Sequence, residues 1–326
     1  MNSKAIGEVK AHSPSPIARS GVFGNWDLEF PQSMSRSIFR NRWLPYLLIA
    51  PQMSVVVVFF FWPALDSLRL ALFNTSPFGD RQIFVGLANF ANLLVSADYH
   101  RSILNSFIFS LGVTLLGLTA SLFLATLANQ KIGGLPFYRT ALLWTYGVAP
   151  PVAGILWLFI FHPSYGILTY LLSRVSTYEF NWLLKGWVAM VLVIFAAVWG
   201  QLGYNIAFFL AGLQAIPRSV IDAARVDGAS GLPLFRFVTF PLISPVTFFL
   251  FIMNMVFSFF ETFGLIHAVT QGGPGDATTI LVYKTYVDGF VNMRMGSSAA
   301  QSAILMALVI FLTVLQFRYT EKKVTY

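Results

Sequence analysis

Gln201, Tyr204 and Asn205 stand close together in one long apolar run of this chain, and Asn254, Ser258 and Glu261 stand in another. Steps of 4 and 3 place the second set on one face of a helix, and the first set groups in the same way. Amides and hydroxyls set in apolar runs can lend hydrogen bonds to a passing polar solute, or they can tie one helix to the next. Both uses are open for Asn205, Asn254 and Ser258. Glu261 lies near an end of its run, where an interfacial position is the competing reading. Bond-breaking chemistry has no comparable candidates. No GxxxxGK[ST] phosphate cradle and no second glycine fingerprint after a predicted strand occurs. HExxH and GxSxG are missing too, and His12, His100, His162 and His267 are scattered. With no cysteine, disulfides and cysteine-ligated metal or iron–sulfur sites are excluded. No catalytic residue, metal site or bound cofactor is expected in this chain.

A second constellation is charged. Arg218, Asp222, Arg225, Asp227 and Arg236 crowd into the stretch IPRSVIDAARVDGASGLPLFRFVTFPLISP, residues 216–245, between two apolar runs. Such charge density cannot lie in hydrocarbon, so the stretch belongs in water. It also has the marks of a short helix. Pro217 suits the first helical position, Arg218 and Asp222 stand at i, i+4, and Gly228 can end the last turn. Val220, Ala223, Ala224 and Asp227 share a face whose centre is small, so the helix can lie flat in a groove of another protein.

The elements that must position these groups are apolar spans. Of 326 residues, 56% are hydrophobic and 10% charged, against roughly a quarter charged in soluble domains. Runs of about 20 apolar residues read as membrane helices. Six are expected, over roughly 45–73, 102–128, 137–161, 187–213, 237–263 and 297–317, giving an all-α membrane protein whose permease domain fills residues 41–326. Pro150-Pro151, mid-way through the third span, should kink or break it. Asp66 and Arg69, at the exit of the first span, read as a structural i, i+3 pair near the interface. Residues 1–40 are polar with scattered Ser, Pro and Gly and no signal-peptide h-region, so a retained, mostly disordered tail is expected. The net charge of +8 flanks apolar runs instead of forming a stripe, which argues against nucleic acid. Fourteen of the 21 Lys and Arg fall on the segments that share a side with the termini, and six on the opposite loops. Basic loop charge sets orientation, so both termini and the loop 216–236 are expected to be cytoplasmic. No Lys or Arg lies in the core of spans two to six. If the solute is an anion, a soluble receptor must hold it firmly while the membrane path holds it weakly.

Asp222-Ala223-Ala224, then Asp227-Gly228-Ala229, then Val238, Phe240 and Pro241 resemble the EAA loop of ABC-importer permeases of the carbohydrate type, the MetI-like family. The departures are Asp for Glu, Val for Ile and Phe for Leu. The resemblance covers nearly everything after the N-terminal tail. RWLPYLLIAPQ (42–52), TTILVYKTYVDGF (278–290) and SSAAQSAILMALVIFLTVLQFRYTEKKV (297–324) further resemble the permeases of glycerol-3-phosphate importers. It implies that Asp222, Ala223, Ala224, Asp227, Gly228 and Ala229 form a coupling helix that enters a cleft on a cytoplasmic ATPase. It implies a six-helix fold in a bacterial inner membrane and a heterodimer with a second permease subunit. Two ATPase copies, which bind the ATP and Mg, and a periplasmic or lipid-anchored solute-binding protein complete the implied assembly. The implied solutes are sn-glycerol-3-phosphate and glycerophosphodiesters. Sugar importers share the architecture, so a disaccharide permease is the nearest rival. An ion-gradient-driven secondary transporter is the rival from another class, resting only on Glu261 and the proline break.

Overall fold

The computed structural model describes residues 43–76, 81–130, 135–175 and 181–321. The expected tail over 1–40 and the turn at 131–134 lie outside them. The chain divides into two units, residues 1–55 and 56–326. The first contributes, among described residues, the opening of helix α1, Leu44–Leu70, none of which is buried. Everything below concerns the second unit.

Five described helices are long and apolar enough to cross a membrane, or six if one bent pair is counted as a span. After α1, whose middle is a π-helical turn at Val57–Phe61, a short antiparallel hairpin pairs β1 (Phe73–Thr75) with β2 (Gln82–Phe84). Described residues of the polar loop expected there thus include a hairpin. Asn89, on α2 (Ala88–Val95), donates to the carbonyls of Ala71 and Phe73 at 2.9 and 3.0 Å and clamps the hairpin to the end of α1. Asp66 and Arg69 stand 3.7 Å apart, both exposed, an arrangement of little energetic weight.

The centre is built from α3 (Ala97–Ala128), α7 (Gly186–Ala215) and α9 (Gly231–Phe260). Helix α3 turns Ser102, Ser106, Ser110, Thr114, Gly117 and Ser121 inward, all buried. Small residues let membrane helices approach closely when no water is available to drive them together. At Gly112 an added Cβ would stand 2.8 Å from Ile194 of α7.

The third span departs from expectation. It is not one kinked helix but two: α4 (Leu135–Leu143), extended by a 3-10 turn to Gly147, and α5 (Pro150–Phe161), meeting at 104°. Val148 and Ala149 between them are extended, as residues ahead of proline prefer, and Pro150-Pro151 start α5, where their missing N–H groups cost nothing. Helix α6 (Ile167–Val175) follows. Helix α8 (Arg218–Val226) links α7 to α9, and α9 begins at Gly231, so the last residues assigned to the loop 216–236 belong to a span.

The segment between the last two spans is structured as well. Helix α10 (Phe263–Val269) packs closely on α5, where a Cβ on Gly154 would lie 2.9 Å from Ala268. Helix α11 (Leu281–Tyr286) runs into a π turn at Val287–Val291, and α12 (Met295–Glu321) closes the fold. Lys284 and Asp288, 3.3 Å apart and 17% and 7% exposed, form an inward-facing ion pair. Gln301 and Asn292 donate to the two carboxylate oxygens of Asp288 at 2.6 and 3.0 Å, tying this segment to α12.

Candidate functional site

The six polar residues singled out within the spans separate into two groups of different character. Asn205 and Asn254 are fully buried and exchange both amide hydrogen bonds, at 3.0 and 2.8 Å, while Asn254 also donates to the Leu250 carbonyl at 2.8 Å. Ser258 is hydrogen-bonded to Ser110 and donates to the Met255 carbonyl at 2.8 Å. These three join α3, α7 and α9, and none of them borders the cavity described next. The path role open to them in the sequence is not what this conformation uses. A reciprocal amide pair between membrane helices contributes about 1 kcal/mol, and it pins the register of α7 on α9.

Gln201, Tyr204 and Glu261 instead line a cavity of about 480 Å³. Gln201 and Tyr204 do not share a face with Asn205 in the sense expected: one side of α7 turns Asn205 onto α9, and the adjoining side turns the other two onto the cavity. Glu261 continues the helical register as the C-cap of α9, its N–H donating to the Phe257 carbonyl at 2.8 Å, and it is exposed where Asn254 and Ser258 are buried. Gln201 is only 8% exposed, yet among the described residues its amide has no hydrogen-bond partner. Its amide borders the cavity, where water or a ligand can take the place of a protein partner.

The far wall is the break in the third span. Tyr146, Gly147, Val148, Ala149 and Pro150 all border the cavity, which gives the non-helical backbone an aqueous space instead of lipid. Gly203 of α7 fixes this wall. Its N–H donates to the Thr145 hydroxyl at 3.0 Å, and a Cβ there would stand 2.8 Å from the Leu143 carbonyl and 3.0 Å from Tyr146. Tyr146 and Tyr204 then meet with ring centroids 5.5 Å apart. Tyr146 and the extended residues were missed in the sequence, although a double proline after an apolar run signals exposed backbone at that depth. A larger groove of about 880 Å³ lies between α3 and the first half of α9, but its lining is apolar apart from a few hydroxyls and suits lipid tails better than a polar solute.

Helix α8 carries the second candidate group. None of its residues is buried. Pro217 sits one place ahead of the first helical residue, and Asp222 stands 3.5 Å from Arg225 instead of pairing with Arg218. The C-terminus is a Schellman turn: Gly228, at φ +86°, donates to the Arg225 carbonyl at 3.0 Å, and Ala229 donates to that of Ala224 at 2.9 Å. Ala223 is exposed and Ala224 half-buried, while Asp227 is the capping residue. The cavity and α8 lie toward opposite ends of α9, a helix of 30 residues and so about 45 Å long.

Comparison with known proteins places this geometry. Residues 33–326 match the family described as binding-protein-dependent transport system inner membrane component. The sn-glycerol-3-phosphate transport system permease protein UgpA of Rhizobium meliloti (strain 1021) is 52% identical over 293 residues, 90% of this chain and 100% of that protein. The protein of the same name from Escherichia coli O157:H7 is 49% identical over 294 residues, 90% of this chain and 99% of its own. The fold is shared with a chain of a bacterial ABC transporter involved in the import of the acidic polysaccharide alginate, with a TM-score of 0.75 at 19% identity over 87% of this chain and 96% of that one. A second structure of an alginate ABC transporter, in complex with an alginate-pentasaccharide-bound periplasmic protein, gives a TM-score of 0.71 at 20% identity over 85% of this chain and 95% of that one. The chain has the MetI-like permease fold and belongs to the binding-protein-dependent transport system inner membrane component family.

Proposed function

We propose that this chain is the permease subunit of an ATP-driven importer that takes up sn-glycerol-3-phosphate and glycerophosphodiesters delivered by a solute-binding protein. The observation that carries the reading is α8: a short helix with no buried residue and a small-residue face, ended by a Schellman turn. Relatives named for sn-glycerol-3-phosphate transport and about half identical over most of this chain support the solute. Asp222, Ala223, Ala224, Asp227, Gly228 and Ala229 would engage a cytoplasmic ATPase, which binds ATP and Mg, while this chain performs no hydrolysis itself. A second permease subunit and two ATPase copies complete the assembly, with both termini of this chain and α8 on the cytoplasmic side. Movement of α8 passes directly to α9, because only four residues separate the two helices. Helix α9 carries Val256, Phe257 and, at its end, Glu261 to the cavity wall. A lever at one end thus reshapes a polar chamber at the other.

A sugar permease is the second reading, favoured by the lack of any Lys or Arg lining the cavity among the described residues. Reconstitution with the partner subunits separates these readings. ATP-driven uptake of sn-glycerol-3-phosphate is expected. Uptake of maltose or trehalose in its place would discard the solute and keep the class, and uptake driven by a proton or sodium gradient without ATP would discard the class.

A further inference from the structure

The wall that this chain lends to the cavity has a marked chemical bias. Its polar side chains are two phenols, an amide and a carboxylate, from Tyr146, Tyr204, Gln201 and Glu261, and among the described residues no cation stands with them. None of these four side chains has a hydrogen-bond partner among the described residues, in contrast to the fully paired Asn205, Asn254 and Ser258. They are the groups left over for something in the cavity.

A helix end also borders the cavity, and such an end would ordinarily attract an anion through its free N–H groups. The start of α5 is poor in such donors, and Val152, whose N–H remains, does not border the cavity. Its first two residues are Pro150 and Pro151, which have no N–H, and the N–H of Ala153 is already bonded to the Ala149 carbonyl at 3.0 Å. A phosphate on this wall would meet the like charge of Glu261, no cation among the described residues and a helix start that lacks the N–H groups of its first two residues. A hydroxyl-bearing carbon chain would meet donors and acceptors set among Ala196, Ala197, Val256 and Phe257.

We propose that this wall recognises the hydroxyl-bearing end of the solute through Tyr146, Gln201, Tyr204 and Glu261, and that the phosphate end is turned away from it, toward the second permease subunit. The proposal rests on the reading of the solute as a glycerol phosphate. It divides recognition between the two permeases: polyol on this chain, anion on its partner. It also accounts for a chain of net charge +8 that places a carboxylate and no cation at the cavity.

The test uses the whole importer in proteoliposomes. ATP-driven uptake of sn-glycerol-3-phosphate is measured in competition with 1,3-propanediol monophosphate, which lacks the secondary hydroxyl, and separately with inorganic phosphate. In Gln201→Ala and Glu261→Gln, preference for sn-glycerol-3-phosphate over the deoxy analogue should fall about three- to tenfold, the value of one hydrogen bond. Inhibition by inorganic phosphate should stay at the wild-type level. Tyr204→Phe, which keeps the ring, provides the same comparison if either variant fails to assemble. Unchanged preference in the variants, or a shift in phosphate inhibition larger than the shift in preference, would overturn the division of recognition. A wild-type importer that does not take up sn-glycerol-3-phosphate would overturn the underlying solute reading before any variant is compared.

Discussion

Replacing Gly228 separates the rigidity of α8 from its mere presence. Gly228 holds φ +86°, and a Cβ placed on it would meet nothing within 4 Å. Backbone conformation alone therefore decides the cost. An alanine forced into the left-handed region loses about 1–2 kcal/mol, which shifts the ratio of closed to open turn by a factor of roughly 5–30. Proline is worse, because its ring holds φ near −65° and it lacks the N–H that now reaches the Arg225 carbonyl. It also disfavours the conformation of Asp227, at φ −71° and ψ 4°. Both bonds of the Schellman turn should be lost, adding about 1 kcal/mol each. Since no residue of α8 is buried, the damage stays local, and membrane insertion and pairing with the second permease should survive. The assay is ATP-driven uptake together with ATP hydrolysis stimulated by loaded binding protein. Gly228→Ala should lower uptake several-fold and Gly228→Pro should reduce it to background at normal assembly. Wild-type uptake by the proline variant would refute the idea that this turn positions a lever.

Asn254→Ala strands the buried amide of Asn205 and should cost about 1–2 kcal/mol. A thermal-unfolding series in detergent checks this, and an unchanged KM for uptake is expected because the pair does not face the cavity. Gly203→Ala drives a Cβ to 2.8 Å from the Leu143 carbonyl. Overpacking of that kind costs about 1–3 kcal/mol, and it should displace Tyr146 enough to raise KM for uptake while the ATPase still binds in a pull-down. Asp288→Ala leaves Lys284 facing inward without its carboxylate, a loss of about 3–5 kcal/mol. The double variant Lys284→Met with Asp288→Leu should recover much of that stability in the same unfolding measurement.

The long apolar spans and the short charged helix α8 were legible in the sequence because each has a local signature. Unbroken apolar length marks a span, and Pro217, the charges and Gly228 mark a short capped helix whatever surrounds it. The right-angle break was only half legible. Pro150-Pro151 announce an interruption, but whether a helix bends or restarts depends on what the freed backbone faces, here the cavity and Gly203 on another span. The facing of polar residues was the least legible. Gln201 and Asn205 are one turn apart, yet one looks into the cavity and the other onto α9, a choice made by the position of neighbouring helices. Helices α10 and α11 were hidden in a stretch that reads as a glycine-rich loop, although Lys284 and Asp288 at i, i+4 are a helix signal in plain view.

The absence of cysteine from the chain permits the most direct test of the coupling claim. Ala223→Cys places a single thiol at the exposed small-residue face of α8, and a matching thiol can be placed in the cleft of the ATPase. In the assembled importer the two are expected to form a disulfide that stops ATP-driven uptake, and reduction should restore it. Failure to cross-link at any position of the cleft, together with labelling of the Ala223→Cys thiol by a membrane-impermeant maleimide applied from outside the cell, would contradict the account.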